Sequence, residues 1–231
     1  GGPARRLRGR PAAAWSARRR RAARFARVFP RELWRPGPVR LVALVAGLWV
    51  FGVGEACLVA AGLGNSPWTV LAQGVSRTTP LGIDAATIAI SFAVLCAWIP
   101  LRQAPGLGTV LNAIVIGIAL GVALRWLPEN PSTAGSWALL FGGIAAVGLG
   151  GGVYLAVGLG PGPRDGLMTG LHARTGRSLR LVRTVIEVSA LVAGFSLGGT
   201  VGVGTVAFAL LIGPGVHAVY YATQPRFARF R

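Results

Sequence analysis

One stretch of this chain is written twice: residues 52–117 recur without a gap at an offset of 96 positions (158 − 62 = 96). GLGNSP at 62–67 returns as GLGPGP at 158–163, and GLGTV at 106–110 returns as GVGTV at 202–206. Between these blocks Leu71, Gly74, Thr79, Ile90, Leu95, Ala97 and Leu101 recur as Leu167, Gly170, Thr175, Ile186, Leu191, Ala193 and Leu197. Farther on, Ala113, Ile116 and Gly117 recur as Ala209, Ile212 and Gly213. Register kept over that length means one unit made twice, so any fold must accommodate two copies of it.

Each copy is built for lipid. The 231 residues are 53% hydrophobic and 13% charged, with a mean hydropathy of +0.59. Apolar windows at 41–61, 82–100, 106–127, 137–157, 181–199 and 203–222 are bounded by Pro, Gly or Arg. Each is long enough to cross a hydrocarbon layer roughly 30 Å thick. The sequence therefore predicts an all-α polytopic membrane protein with six transmembrane helices. A membrane domain over 41–222 divides into repeat 1 (41–127) and repeat 2 (137–222).

The formal net charge of +18 does not point to nucleic acid, because thirteen of the twenty-four basic residues precede position 41. Those residues, all Arg, sit among Ala, Pro and Gly, a composition that cannot bury enough apolar surface to fold. Residues 1–40 are expected to be a disordered cytoplasmic tail lying on anionic lipid, and 223–231 a second basic tail. No recognition motif accompanies the charge, so specific nucleic-acid binding is not expected. Arg without Lys, with abundant Ala, Gly and Val, has the look of the coding bias of a high-GC bacterium. Homo-oligomerisation is compatible with this reading.

Placing the Arg-rich tail inside also places inside the connections holding Arg102, then Arg164, Arg174, Arg177 and Arg180, then Arg226, Arg229 and Arg231. Only Arg77 and Arg125 are left outside, and both termini are cytoplasmic. Three spans per copy force the two copies to enter from opposite faces, giving inverted repeats, an arrangement recurrent among secondary transporters with the site between copies. The alternative requires 67–78 and 163–175 to cross as well, making four spans and a parallel repeat. About 12 residues at 1.5 Å each reach only roughly 18 Å. These segments are therefore expected to be short interfacial or re-entrant helices.

Both short helices start after a glycine-rich break with Pro in the first turn: Ser66 and Pro67 in one copy, Gly162 and Pro163 in the other. Paired helix N-termini with free amides favour an anion; a lipid-interface elbow needs the same glycines. Trp68, Leu71 and Val75 form an apolar stripe, and Thr69, Gln73 and Ser76 a polar one. The second copy repeats the polar stripe as Asp165, Thr169 and His172, with Arg164 added beside Asp165. A solvated interfacial face gives the same pattern. The candidate solute-binding residues are thus Asn65, Ser66, Trp68, Thr69, Gln73, Arg164, Asp165, Thr169 and His172.

Two acids fall inside spans. Glu187 has Arg183 one turn before it and reads as an i, i+4 ion pair. Glu55 has no local partner and is either a coupling carboxylate or a hydrated residue near the outer face. Asn112 is expected to make an interhelical hydrogen bond, and Asp84 to cap the second span. Cys57 and Cys96 lie within spans and read as small buried apolar residues, and no metal spacing or cofactor is indicated. Phosphate-loop, nucleophile-elbow and metalloprotease motifs are absent, so no enzyme activity is expected.

GLGNSPWTVLAQGVS from Gly62, APGLGTVLNAIVIG from Ala104, GLGPGPRDGLMTGL from Gly158 and GVGTVAFALLIGPGV from Gly202 together resemble the YczE/YyaS/YitT-like bacterial membrane proteins. The resemblance covers nearly all of 41–222 and implies a multi-spanning inner-membrane protein, with no substrate or reaction attached. The leading expectation is a transporter-like permease for an unidentified small solute, an anion being one candidate, with Glu55 and Glu187 as coupling candidates. The alternative is a non-transporting scaffold or accessory factor acting through its tail.

Overall fold

A computed structural model describes residues 33–228, which form eight helices and no strand. They are α1 (Pro38–Ala61), α2 (Pro67–Thr78), α3 (Ile83–Leu101), α4 (Leu107–Leu124), α5 (Thr133–Val157), α6 (Pro163–Thr175), α7 (Leu179–Ser196) and α8 (Val203–Ala228). The offset of 96 carries α1–α4 onto α5–α8. The expectations for residues 1–32 and 229–231 lie outside the described residues. Arg40, counted with the tail in sequence, belongs to α1, is buried, and donates from Nη2 to the Val157 carbonyl at 2.9 Å.

Punctuation fixes the boundaries. Gly62 and Gly158 end α1 and α5 in the left-handed conformation at φ 67° and 66°, and Pro67 and Pro163 restart the chain at the first helical position. Ser132 and Ser178 cap α5 and α7 by accepting from the Gly135 and Leu181 amides. Asp84 does not cap α3. Gly82 holds that position without a side-chain bond, and Asp84 packs in the first turn against Gly121 of α4.

α1, α3, α4, α5 and α8 are long and apolar enough to cross a membrane. The sixth expected span differs: α7 is a helix of 18 residues, but Arg180, Arg183 and Glu187 load its first half with charge. The two short helices are 12 and 13 residues long, matching their sequence boundaries.

Packing repeats as faithfully as sequence. α1 lies along α5, α4 packs on α1 as α8 packs on α5, and α2 crosses to α7 as α6 crosses to α3. Gly47 of α1 lies against Gly150, while Gly54 lies against Gly143 and Val147, so α1 and α5 run antiparallel. The core is one cluster made twice. Leu44, Leu48, Ile116, Tyr154 and Val157 pack together in one place, and their offset partners Leu140, Ile144, Ile212, Leu58 and Ala61 in another.

The breaks are stitched across copies. Gly204 donates its amide to the Leu63 carbonyl at 2.8 Å, and Gly108 donates to the Leu159 carbonyl at the same distance. Each bond maps onto the other under the offset. Gly64 and Gly160, at φ 112° and 115°, make this approach feasible: a Cβ on Gly64 would stand 2.5 Å from the Gly202 nitrogen. The GLG and GVGT sequences are therefore a reciprocal clasp between the copies.

Two departures from the repeat shape the interior. Trp98 of α3 is buried against Gly166 of α6 and donates from Nε1 to the Pro163 carbonyl at 2.9 Å. Its offset partner is Gly194, which lets α2 lie against α7 backbone to backbone. At the second departure, Gly117 and Gly121 bring α4 onto α3: a Cβ on Gly117 would stand 2.5 Å from Ile88 Cγ1, and one on Gly121 2.7 Å from Asp84 Cβ. Gly213, the offset partner of Gly117, has nothing within 4 Å of where its Cβ would be, and α7 barely touches α8.

Candidate functional site

Where α7 stands away from α8, a cavity of about 250 Å³ opens between the copies. Its lining draws on both halves: Phe51 of α1, Ser66, Pro67 and Trp68 of α2, Asn112 and Ile116 of α4, and Tyr154 of α5. Gly162 before α6, Arg164, Asp165 and Met168 in it, Arg183 and Glu187 of α7, and Phe208, Ile212 and His217 of α8 complete most of the wall.

The start of each short helix reaches this cavity, and the second helical residues meet. Arg164 is the offset partner of Trp68, and its Cζ lies 5.1 Å from the centre of the Trp68 ring. Two equivalent positions are thus stacked on one another across the interface between copies. Neither helix start is capped by a side chain among the described residues.

Ser66 explains why α2 is uncapped. It occupies the N-cap position, but its hydroxyl turns away from the amides to Glu55, at 2.9 Å from Oε2. Thr69 Oγ1 donates to the same oxygen at 2.6 Å. Glu55 is 1% exposed, so the hydrated placement near an outer face does not hold. It is a buried acid satisfied by hydroxyls, one of which belongs to a cavity-lining residue. In the second copy Asp165, offset partner of Thr69, accepts a short hydrogen bond from the Tyr154 hydroxyl. Both short helices are thus tied at the same position to the first helix of their own repeat.

Of the residues singled out by sequence, the cavity gathers Ser66, Trp68, Arg164, Asp165 and Glu187, with Glu55 and Thr69 one hydrogen bond behind. Glu187 is bonded to Arg183 Nε at 2.9 Å as spacing suggested, and both members of the pair face the cavity. Asn65 and Gln73 have another job. Asn65 Nδ2 donates to Gln73 Oε1 at 3.1 Å, the Thr200 amide donates to that oxygen at 2.7 Å, and the Asn65 amide donates to the Thr200 carbonyl at 3.2 Å. They fasten the break to the α7–α8 connection. Thr169 and His172 are exposed and bonded locally, His172 through Nδ1 to the Arg177 carbonyl at 2.6 Å. In the polar stripe of α2 Thr69 is buried and Gln73 is bonded, whereas that of α6 leaves the site after Asp165.

Asn112, Tyr154 and His217 went unassigned to the site in sequence because each lies in a largely apolar stretch of its helix. Asn112 makes no side-chain hydrogen bond among the described residues. It borders the cavity beside Gly162, whose Cβ would stand 3.1 Å from its Nδ2. The available signal was the offset: Phe208 and Asn112 are partners, and both line the wall.

Residues 38–220 match DUF6198, a family of unknown function. An uncharacterized protein of Haemophilus influenzae is 42% identical over 193 residues, covering 81% of this chain and 88% of its own. Two Bacillus subtilis proteins are similar as well. The uncharacterized membrane protein YczE is 32% identical over 171 residues (73% of this chain, 79% of its own), and YyaS 28% over 188 (78% and 92%). No solved structure matches the chain.

Proposed function

The chain belongs to the DUF6198 family, whose relatives include a membrane protein, and from that premise we propose that it is a small-solute permease of two inverted three-span repeats. Inversion is supported by the antiparallel run of α1 against α5. A two-fold relation between antiparallel neighbours has its axis across the helices, which for membrane-crossing helices means in the membrane plane. α7 supplies the sixth crossing, with Arg183 and Glu187 neutralising each other where the helix is most charged. In this reading α7's charged end and both termini are cytoplasmic, which the Arg distribution favours.

The observation that carries the permease reading is the cavity between copies, walled by both helix breaks, closed along α3–α4 and open along α7–α8. Because the two pairs are equivalent under the offset, closing one as the other opens gives alternating access without a new kind of contact. In this reading the structure is the inward-facing state, and Glu55, joined to the wall through Ser66, is the coupling carboxylate.

Reconstitution of the full chain in liposomes, with counterflow measured across a broad panel of labelled small metabolites, tests the reading. Saturable flux that Arg164→Ala abolishes is expected, and no saturable flux for any solute sinks it. Deleting residues 1–36 leaves flux intact in a permease, whereas a scaffold acting through its basic tail loses its activity.

A further inference from the structure

We infer that the cavity takes a small carboxylate with an apolar body, gripped at its charged end by Arg164, the Trp68 indole N–H and the uncapped starts of α2 and α6. The inference deepens the permease reading and rests on the same cavity.

Hydrogen bonding among the lining charges decides the sign of the ligand. Asp165 accepts from Tyr154, Glu187 is bonded to Arg183, and Glu55 behind the wall accepts from Ser66 and Thr69. Every acid already holds at least one donor, Glu187 a cationic one, which lessens its hold on a cationic solute. Arg164 is the cavity-lining charge with no hydrogen bond among the described residues; it rests on the Trp68 ring, in an electrostatic field shared with Glu55, Asp165 and Glu187. A guanidinium holds several donors in a planar fork that matches a carboxylate.

A second donor waits beside it. Trp68 is 7% exposed and lines the cavity, and its buried Nε1–H has no acceptor among the described residues. An indole nitrogen only donates, so the atom that satisfies it must be an acceptor. The amides at the starts of α2 and α6 add donors of the same sign, and their helix dipoles favour negative charge.

The remaining wall sets the size and character of the ligand. Phe51, Ile116, Val147, Phe208 and Ile212 are apolar, and about 250 Å³ exceeds the ~150 Å³ of an apolar cavity that holds benzene. That space suits a branched or aromatic monocarboxylate and excludes a dinucleotide or an oligosaccharide.

The test uses the full chain in nanodiscs of zwitterionic lipid, with ligand binding followed by thermal unfolding. Benzoate, benzyl alcohol, benzylamine and inorganic phosphate are the probes. Saturable stabilisation by benzoate alone is expected. Arg164→Gln should weaken it about tenfold or more, as befits loss of a charged hydrogen-bonding partner. Trp68→Phe, which keeps a ring under Arg164 and removes the donor, should weaken it several-fold. No saturable effect of benzoate, equal or tighter binding of the amine, the alcohol or phosphate, or unchanged benzoate affinity in Arg164→Gln overturns the inference. If Arg164→Gln fails to fold, unchanged affinity in Trp68→Phe does so. Counterflow of some other solute without benzoate binding overturns the carboxylate alone. Benzoate binding without flux of any solute keeps the site and overturns the permease.

Discussion

Glu55, Ser66 and Thr69 form a buried knot in which two hydroxyls converge on one carboxylate. Glu55→Ala removes the carboxylate acceptor of both hydroxyls and leaves Ser66 only Thr69 Oγ1, at 3.0 Å, to donate to. The expected cost is about 1–3 kcal/mol, read from unfolding in nanodiscs, with Glu55→Gln losing much less because it retains an acceptor oxygen. Equal stability of wild type and Glu55→Ala would mean that the knot holds nothing together. The knot was only half legible in sequence. Glu55 was recognisable as an acid without a local partner, but Ser66 looked like a helix cap, and nothing in a spacing of eleven residues across a glycine break says that its hydroxyl turns back to α1. Arg164 over Trp68 was similarly hidden, although the offset that makes them equivalent was plain.

Among the elements, the breaks were the most readable part, because glycine followed by proline dictates where a helix stops and restarts. Their partners were not, since a hydrogen bond from Gly204 to Leu63 spans most of the chain and depends on both copies being folded. Gly64→Ala should cost at least about 2 kcal/mol, combining an unfavourable left-handed φ with a Cβ driven into the Gly202 backbone. Gly62→Ala, with the same handedness and open space around it, should cost about 1 kcal/mol by thermal unfolding. A second matched pair probes the gap. Gly117→Ala overpacks α4 against α3 and should destabilise by about 1–3 kcal/mol. Gly213→Ala should leave stability unchanged or raise it by up to ~1 kcal/mol, yet cut counterflow at least about tenfold if α8 must close on α7. Full flux in Gly213→Ala would remove the proposed closure.

At the scale of the whole molecule, the duplication announced the helix order and the short helices. It could not announce the asymmetry. Trp98 standing where the other copy has Gly194, and the free space at Gly213, are substitutions whose spatial effect depends on how closely facing helices approach. Helix α7 also reads as apolar by position and repeat, but its Arg180, Arg183 and Glu187 set it apart from the five spans that qualify on composition. Orientation in the bilayer has a direct test at equivalent exposed positions. In a cysteine-free background, a membrane-impermeant thiol reagent applied to right-side-out vesicles should label Thr79→Cys and spare Thr175→Cys. Labelling of both from one side would contradict inversion.

The reciprocal clasp also governs how the protein is born. The first half leaves the ribosome with its Leu63 carbonyl waiting for an amide that is synthesised about 140 residues later, a lone acceptor that lipid is unable to satisfy. Neither half is a finished object. Co-expressed as separate polypeptides, the two should rescue each other, whereas either one made alone should be cleared by quality-control proteases.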